Sequence, residues 1–209
     1  MTGTMTTRFY WLQHTDGEGA WQSGGERPPG EDLAALRRGI GRRAGTVPQM
    51  WRYYAKLNAA GHVTAQLRAE HLALTLFAVH QQSQPQPVYR DGVGFGVAVR
   101  ALRASGKFSE EAVDRRFAAA ATATSLSEVA AHLRGLITQL RGVSGLDYTR
   151  LFRDLLDWQD PEARAGIRRR WGSQYFVSPA AESPADQNTA DQNTADQSPA
   201  TPDTGPTTR

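Results

Sequence analysis

The side chains with the clearest chemical potential are arginines, which recur in clusters along the first 177 residues. The densest cluster, Arg168-Arg169-Arg170, follows an apolar helical pattern near the end of this region. Arginine presents a planar fork of N–H donors that matches phosphate oxygens and can stack on bases. Such a cluster on a helix with an apolar face favours binding to a polyanion. The candidate phosphate contacts are Arg37, Arg38, Arg42, Arg52, Lys56, Arg115, Arg116, Arg134, Arg141, Arg168, Arg169 and Arg170.

The charges divide the chain into a basic body and an acidic tail. The whole chain has 24 basic and 21 acidic residues, for a net charge of +3. Residues 178–209 hold five acids and one base, which leaves 23 basic and 16 acidic residues in residues 1–177. Lys56 and Lys107 are the only lysines. A genomic preference for arginine codons explains this ratio as well as phosphate binding does, but it does not explain where the arginines cluster.

Other kinds of site find little support in the sequence. Gly92, Gly94 and Gly96 lack the spacing of a nucleotide-binding loop, and no Lys-Ser/Thr pair follows them. The five histidines lack the spacing of metal ligands, and the chain has no cysteine. Most carboxylates lie at helix starts or four residues from an arginine, where helix structure accounts for them. We therefore predict no enzyme activity, no metal site and no cofactor.

The sequence also bears on where the protein works. No run of about 18 apolar residues is present, so no transmembrane helix and no membrane partner are expected. The first 21 residues lack a continuous apolar stretch, which argues against a secretory signal. The absence of cysteine fits a reducing compartment. We expect a cytoplasmic protein.

Apolar residues recur at helical spacing through most of residues 31–177, and no segment alternates as a strand does. A serine, threonine or aspartate precedes several of these patterns, as expected of helix N-caps, and prolines interrupt them near residue 86. We therefore predict an all-α helical bundle, with two packed sub-bundles on either side of the proline-rich loop as one arrangement. The predicted helices cover 31–43, 48–59, 65–82 and 95–104, followed by helices that start after Ser109, Ser125, Asp147 and Asp160.

Two of these helical patterns predict which residues are buried. The second half of the 65–82 pattern is apolar almost all round, which indicates a central, buried helix. In the segment before it, the apolar side of the expected helix consists of Met50, Trp51, Tyr54 and Leu57.

Charged pairs are predicted on the helix that starts after Asp147. Arg150 and Asp154 are four residues apart, as are Arg153 and Asp157, and such pairs meet on a helix surface. Because a paired arginine is a poorer phosphate ligand, these two arginines are left out of the candidate contacts.

The two ends of the chain differ from its body. Residues 1–30 form a polar, glycine-rich segment whose aromatic residues are expected to dock on the body or on a partner. Residues 178–209 contain the direct repeat ADQNT-ADQNT-ADQ and bury too little apolar surface to offset the entropy of ordering. We therefore predict an N-terminal segment over 1–30, a helical domain over 31–177 and a disordered acidic tail over 178–209.

Several short segments follow one another in a definite order along residues 31–176. They are LRRG from Leu36, LTLFAVHQ from Leu74, GVGFGVA from Gly92, DRRF from Asp114, HLRGL from His132, and the run from Leu146 to Phe176. In this order and spacing they resemble the CasB family, the small subunit of the type I-E CRISPR surveillance complex Cascade. Gly94 departs from the family pattern, which more often has serine there, so the helix that follows is expected to be poorly capped.

The resemblance implies a non-catalytic subunit of a crRNA-guided DNA surveillance complex in antiviral defence. Family members sit as a pair along the inner face of the complex and help to hold the crRNA–target heteroduplex and the displaced non-target strand. The arginines named above would then bind phosphates without reading sequence and stabilise the R-loop. The implied partners are the backbone and large subunits of Cascade, a second copy of this chain, the crRNA, the target DNA and the displaced strand.

Two alternatives from other classes remain open at this point. One is a free-standing, arginine-rich helical protein that binds nucleic acid alone. The other is a helical interaction adaptor whose arginines contact acidic protein surfaces without any nucleic acid. Co-purification with a guide RNA separates the first alternative from the family hypothesis, and the salt dependence of nucleic-acid binding separates the second.

Overall fold

The computed structural model describes residues 8–22 and 27–177, and it contains seven α-helices within them. Two 3₁₀ segments, Tyr10–Leu12 and Pro48–Tyr53, precede and follow the first α-helix. The described residues contain isolated β-bridges but no strand, so the predicted all-α class is confirmed. The α-helices are α1 Gly30–Arg37, α2 Ala65–Gln81, α3 Phe95–Ala104, α4 Glu110–Thr122, α5 Leu126–Gln139, α6 Tyr148–Asp157 and α7 Pro161–Phe176.

The predicted capping residues start the helices. The side chains of Thr64, Ser109, Ser125 and Asp147 each accept a hydrogen bond from the backbone N–H three residues later. These bonds satisfy donors that a helix start otherwise leaves unpaired. Gly94, which precedes α3, makes no such side-chain bond, as expected from its departure from the family pattern.

Helix α2 is the centre of the fold. From Ala73 to Gln81 every residue is buried, as the continuous apolar pattern predicted. It packs against α1 on one side and against α5 and α6 on others, while α3 packs against α4 and α7. Helices from both sides of the proline-rich loop near residue 86 therefore share one core.

The predictions for 31–43 and 48–59 were wrong in extent. Helix α1 ends at Arg37, and a turn follows in which Gly41 has a φ of +71°. The second segment is a 3₁₀ helix that ends at Tyr53, because the buried Glu70 carboxylate accepts the backbone N–H groups of Ala55 and Lys56 at 2.6 and 2.8 Å. These tertiary bonds replace the helical bonds that the local pattern predicts.

The shortened second segment also changes which of its side chains are buried. Met50 and Tyr54 are buried as predicted, whereas Trp51 is 50% exposed and Leu57 is 43% exposed. The helical spacing that grouped these four residues does not apply to a 3₁₀ turn followed by extended chain. The prediction of burial was therefore wrong for Trp51 and Leu57.

The N-terminal aromatic residues dock on the body. Trp11 is fully buried, and its indole N–H donates to Thr149 Oγ1 at 3.0 Å. Tyr10 donates to a carboxylate oxygen of Asp32 at 2.9 Å, and the Phe9 ring stacks on Trp11. The predicted disordered tail over 178–209 lies outside the described residues. No helix in the described part of the chain is both long enough and apolar enough to cross a membrane.

Helices α3 and α7 lie in close contact at Gly96. A Cβ at this position would lie 2.2 Å from the backbone oxygen of Trp171 and 2.7 Å from Gln174 Cβ. Trp171 is itself fully buried. The centre of its ring lies 4.6 Å from the centre of the Phe95 ring and 5.0 Å from the centre of the Trp158 ring. The family-like GVGFGVA segment therefore needs glycine here to seat α3 on the aromatic core.

We expect Gly96→Ala to lower the free energy of unfolding by about 2 to 3 kcal/mol, since the new methyl group meets a backbone atom that cannot rotate away. Gly135 is a matched control, because it also lies within an α-helix but a methyl group added there would meet nothing within 4 Å. Gly135→Ala should raise stability by about 0.5–1 kcal/mol. Urea unfolding measures both, and equal effects would contradict the proposed close approach.

His80 is a buried, uncharged imidazole on α2. Its Nδ1 lies 3.0 Å from the hydroxyl oxygen of Tyr148, and the side chain has no solvent exposure. Burial lowers the pKa of His80 to about 4, from an ordinary value near 6.5. Glu70 shifts in the opposite sense, because burial raises the pKa of its carboxyl to about 7.

We expect His80 to destabilise the fold as pH falls from about 6.5 to about 4, since over that range the unfolded histidine takes up a proton and the buried one does not. The penalty is about 3 kcal/mol. Because Glu70 contributes with the opposite sign between pH 7 and 4.5, the test is the difference in unfolding free energy between the wild type and His80→Gln. Parallel pH profiles for the two proteins would contradict it.

Candidate nucleic-acid interface

The turn after α1 carries three arginines and is anchored to α2 by His71. The His71 Nε2 lies 2.9 Å from the Gly39 carbonyl oxygen, and its Nδ1 lies 2.7 Å from the Tyr54 hydroxyl oxygen. A carbonyl only accepts, so Nε2 carries the proton and Nδ1 accepts from Tyr54. Burial lowers the pKa of His71 and raises the pKa of Tyr54 to about 12, so both groups stay neutral near pH 7.

Gly39 allows this turn to lie against α2. A Cβ at this position would lie 2.3 Å from Met50 Sδ and 2.8 Å from His71 Cε1. Both of those side chains are buried, so neither has free space to move into. The backbone that presents Arg38, Arg42 and Arg43 is therefore fixed by packing on one side and by the histidine bond on the other.

Three neighbouring depressions surround this turn. The first has a volume of about 400 Å³ and lies between the turn, α2 and α5, where Arg42, Arg43 and Arg134 join the apolar side chains of α2. The second, of about 310 Å³, is lined by Arg42, Arg43 and Arg68. The third, of about 580 Å³, is lined by Arg38 and Arg42. We call this surface the basic groove and define it by Arg38, Arg42, Arg43, Arg68 and Arg134.

The basic groove has an uncompensated positive charge. Among the described residues, no aspartate or glutamate lines any of the three depressions. Near the groove, Arg37 and Arg141 carry like charges that repel each other. Partial burial of Arg141, together with the charge of Arg37, lowers the pKa of Arg141. A concave surface with cations and no acids concentrates anions.

The structure brings only part of the predicted set together. Arg38, Arg42 and Arg134 line the groove, and Arg37 lies close enough to Arg141 for their charges to interact. The donors of Arg141 make hydrogen bonds within the chain. Its Nε donates to the Val79 carbonyl at 2.8 Å and its Nη2 donates to Gln82 Oε1 at 3.1 Å. It thereby satisfies an acceptor in the last turn of α2.

Four other predicted contacts also have partners within the chain. Arg52 pairs with Asp32 at 2.9 Å, and the Lys56 ammonium lies 5.4 Å from the centre of the Phe9 ring. Arg168 donates to the Ala123 carbonyl at 2.8 Å, just after the end of α4. Arg170 makes the direct pair with the buried carboxylate of Asp154, while Arg150, the partner predicted from the four-residue spacing, acts on that carboxylate only through its charge.

The remaining candidates are exposed but lie elsewhere. Arg115 and Arg116 are on the surface of α4, and Arg169 is on the surface of α7. Neither helix contributes to the three depressions. Conversely, Arg43 and Arg68 line the groove although neither was among the predicted contacts. Arg68 also donates from Nε to Gln159 Oε1 at 2.8 Å and from Nη1 to the Val63 carbonyl at 3.2 Å, so it brings its charge to the groove with part of its donors engaged. Arg43 could have been included because it follows Arg42 directly, whereas Arg68 stands alone in sequence and has no local signal.

Comparison with known proteins identifies the family. A family model described as CRISPR-associated protein Cse2 matches residues 32–176, more than half of the chain. The chain belongs to the Cse2 family. The resemblance inferred from its ordered motifs is therefore confirmed, and the matched range contains all five groove arginines.

Individual relatives agree with the Cse2 assignment. The Cse2 protein of Thermus thermophilus is 30% identical over 178 residues, which cover 82% of this chain and 89% of that protein. The crystal structure of CasB from Thermobifida fusca superimposes with a TM-score of 0.57 at 30% identity, covering 70% of this chain and 84% of that one. A chain from a CRISPR RNA-guided surveillance complex gives a TM-score of 0.53 at 27% identity, covering 71% and 82%.

We expect the stability of this chain to depend on Arg170 but not on its neighbour Arg169. Removing Arg170 leaves the buried Asp154 carboxylate with the Trp171 indole N–H, at 2.7 Å, as its remaining side-chain donor. Arg170→Ala should cost about 2 to 3 kcal/mol, less than for a fully buried pair because Arg170 is partly exposed.

Arg169→Ala is the matched control, since it removes the same charge from an exposed position on the same helix. Its effect on the free energy of unfolding should stay within about 0.5 kcal/mol. Equal losses in urea unfolding would contradict the assignment of Arg170 to the fold.

Proposed function

We propose that this Cse2 family member is a non-catalytic subunit of a crRNA-guided DNA surveillance complex of the type I-E Cascade kind, acting in antiviral defence. In this proposal the basic groove holds the phosphates of the crRNA–target heteroduplex and of the displaced non-target strand. The observation that carries the proposal is the groove itself: five arginines from the α1 turn, α2 and α5 meet around depressions that no described carboxylate lines. The family match and the likeness to a chain of a surveillance complex support the multi-subunit setting.

The chemistry of the groove suits binding to phosphate without sequence readout. Four of the five groove arginines can each donate two parallel hydrogen bonds to a phosphate, whereas Arg68, which already donates to Gln159 and to the Val63 carbonyl, contributes its charge. The release of condensed counterions drives binding. Replacing a DNA duplex by an RNA–DNA heteroduplex is nearly balanced in free energy, so a few phosphate contacts can decide whether an R-loop persists. A non-specific cationic surface serves this purpose because every target has the same backbone.

The titratable groups beside the groove support a binding role. Both ring nitrogens of His71 are engaged, one with the Gly39 carbonyl and one with the Tyr54 hydroxyl. The other side chains on the first depression are aliphatic, serine or threonine in addition to the arginines. General acid or base chemistry requires a group free to exchange a proton with the substrate, and His71 is committed to the fold.

The proposal as a whole is tested by tagging the chain in its native host and identifying what co-purifies by mass spectrometry and RNA sequencing. We expect the backbone and large subunits, an untagged second copy of the chain and a repeat-flanked guide RNA. Recovery of the chain alone, or with bulk nucleic acid, would overturn the Cascade assignment in favour of a free-standing binder.

We expect the double substitution Arg42→Ala/Arg134→Ala to weaken binding of a single-stranded DNA by a similar factor for every sequence. The plot of log affinity against log salt concentration should become shallower by about 1.4, or about 0.7 for each lost phosphate contact. Affinities measured by fluorescence anisotropy over a series of KCl concentrations give this slope.

Arg153→Ala is the control for the salt slope. Arg153 is exposed on α6, which does not line the basic groove, and its removal lowers the net charge by one without removing a groove contact. The slope of this variant should match that of the wild type. An unchanged slope in the double variant would show that Arg42 and Arg134 contact protein and not phosphate.

A further inference from the structure

Trp51 is unusual in presenting half of its side-chain surface to solvent. It is 50% exposed, whereas Trp11, Trp158 and Trp171 are completely buried and Trp21 is partly buried. Tryptophan is on average a well-buried residue, because its large apolar surface is costly to hydrate. The sequence pattern also predicted a buried Trp51, so its exposure requires a physical explanation.

The Trp51 indole is fixed in position although it is exposed. Its N–H donates to the Gly45 carbonyl at 2.8 Å, and its 3₁₀ segment is held by the buried neighbours Met50 and Tyr53. Gly45 belongs to the turn that His71 anchors, since its own N–H lies 3.5 Å from the Tyr54 hydroxyl oxygen. An aromatic ring held at one edge, with much of its surface open, is ready to contact a ligand without a large loss of entropy.

The indole is hydrogen-bonded to the turn that carries cations of the basic groove. Gly45, its hydrogen-bond acceptor, is two residues from Arg43 in the same turn. The third depression runs between that turn and the start of the Trp51 segment, and it is lined by Arg38, Arg42 and Pro48. A ring bonded to a turn that also carries several cations matches a ligand that alternates flat apolar groups with negative charges.

We propose that Trp51 is a stacking platform for an unpaired nucleobase of a single-stranded nucleic acid whose phosphates lie on Arg38, Arg42 and Arg43. The proposal rests on the proposed function and adds that an unpaired nucleobase is one of the groups recognised. Single-strand-binding proteins combine a cationic groove with aromatic side chains in this way, and each stacked base contributes without regard to its identity. A base within a duplex is stacked on its neighbours and leaves no open face, so the platform favours the unpaired strand.

The test compares an oligodeoxythymidylate with an abasic deoxyribose-phosphate strand of the same length, using the full chain. The thymidylate strand should quench the tryptophan fluorescence of the wild type, and the abasic strand should not. Trp51→Ala should lower the affinity for the thymidylate strand about tenfold and leave the affinity for the abasic strand unchanged. The salt slope should stay as in the wild type, because no phosphate contact is lost.

Two further variants make the result specific. Trp51→Phe retains a stacking ring and should keep most of the affinity, while abolishing the fluorescence quenching. Leu57→Ala removes an apolar side chain of similar exposure from the adjoining segment and should change neither strand's binding. Unfolding curves of all variants establish that the comparison is made between folded proteins.

The possible failures are distinguishable. Equal losses on both strands, or no loss on either, would overturn the stacking role and leave the proposed function standing. If Trp51→Ala left strand binding intact but weakened co-purification with other subunits, Trp51 would be a protein contact, which also overturns the stacking role alone. If the wild type bound neither strand at any salt concentration, the proposed function would fail and the stacking role with it.

Discussion

The pair of hydrogen bonds made by His71 is the constraint on which the basic groove depends. One buried, neutral imidazole joins the backbone of the α1 turn at Gly39 to the side chain of Tyr54, and both loops are thereby tied to α2. A single bond of this kind contributes only about 1 kcal/mol net, but a buried donor or acceptor left without a partner costs more. Helix α2 is held in place by α1, α5 and α6, which pack around it. Because the turn is bonded to α2, its backbone is held in place as well. The groove arginines therefore begin from a fixed backbone, and binding has only their side chains to order.

Arginine has two physical roles in this chain, and the acceptors within reach divide them. Arg141 and Arg168 donate to carbonyls at the ends of α2 and α4, where a helix leaves its last acceptors unpaired. Arg170 neutralises the buried Asp154 carboxylate, which also accepts a hydrogen bond from the Trp171 indole. A planar fork with several donors suits these sites better than the single ammonium of lysine does, which gives a structural reason for arginine beyond codon preference. The groove arginines differ because no carboxylate lines their depressions among the described residues, so their charge is not neutralised there even though Arg68 donates to Gln159 and to the Val63 carbonyl.

Local signals in the sequence were sufficient for the capped helices α2, α4, α5 and α6, but not for the 48–59 segment or for the site. Caps at Thr64, Ser109, Ser125 and Asp147 act within three residues, so their helices could be predicted. The 48–59 prediction failed because the competing acceptor, Glu70, is 14 and 15 residues away from the N–H groups it binds. The same limit applies to arginine: Arg141 reaches Val79 across 62 positions and Arg170 reaches Asp154 across 16. Helical spacing identifies which residues share a surface, but only the packed structure reveals which cations already have a partner.

Phosphate contacts alone cannot distinguish the strands that an R-loop contains, since duplex, heteroduplex and displaced strand all carry the same repeating charge. Discrimination requires a feature that differs between them, and exposed base faces are present only on the unpaired strand. The turn between α1 and the 3₁₀ segment carries Arg42 and Arg43 and also accepts the Trp51 hydrogen bond at Gly45. In the proposed binding mode, charge recognition and base recognition both depend on this one backbone segment and on the His71 bond that holds it. Displacement of this segment would move the cations and the indole together, so the affinity for phosphates and the preference for a single strand are expected to be lost together.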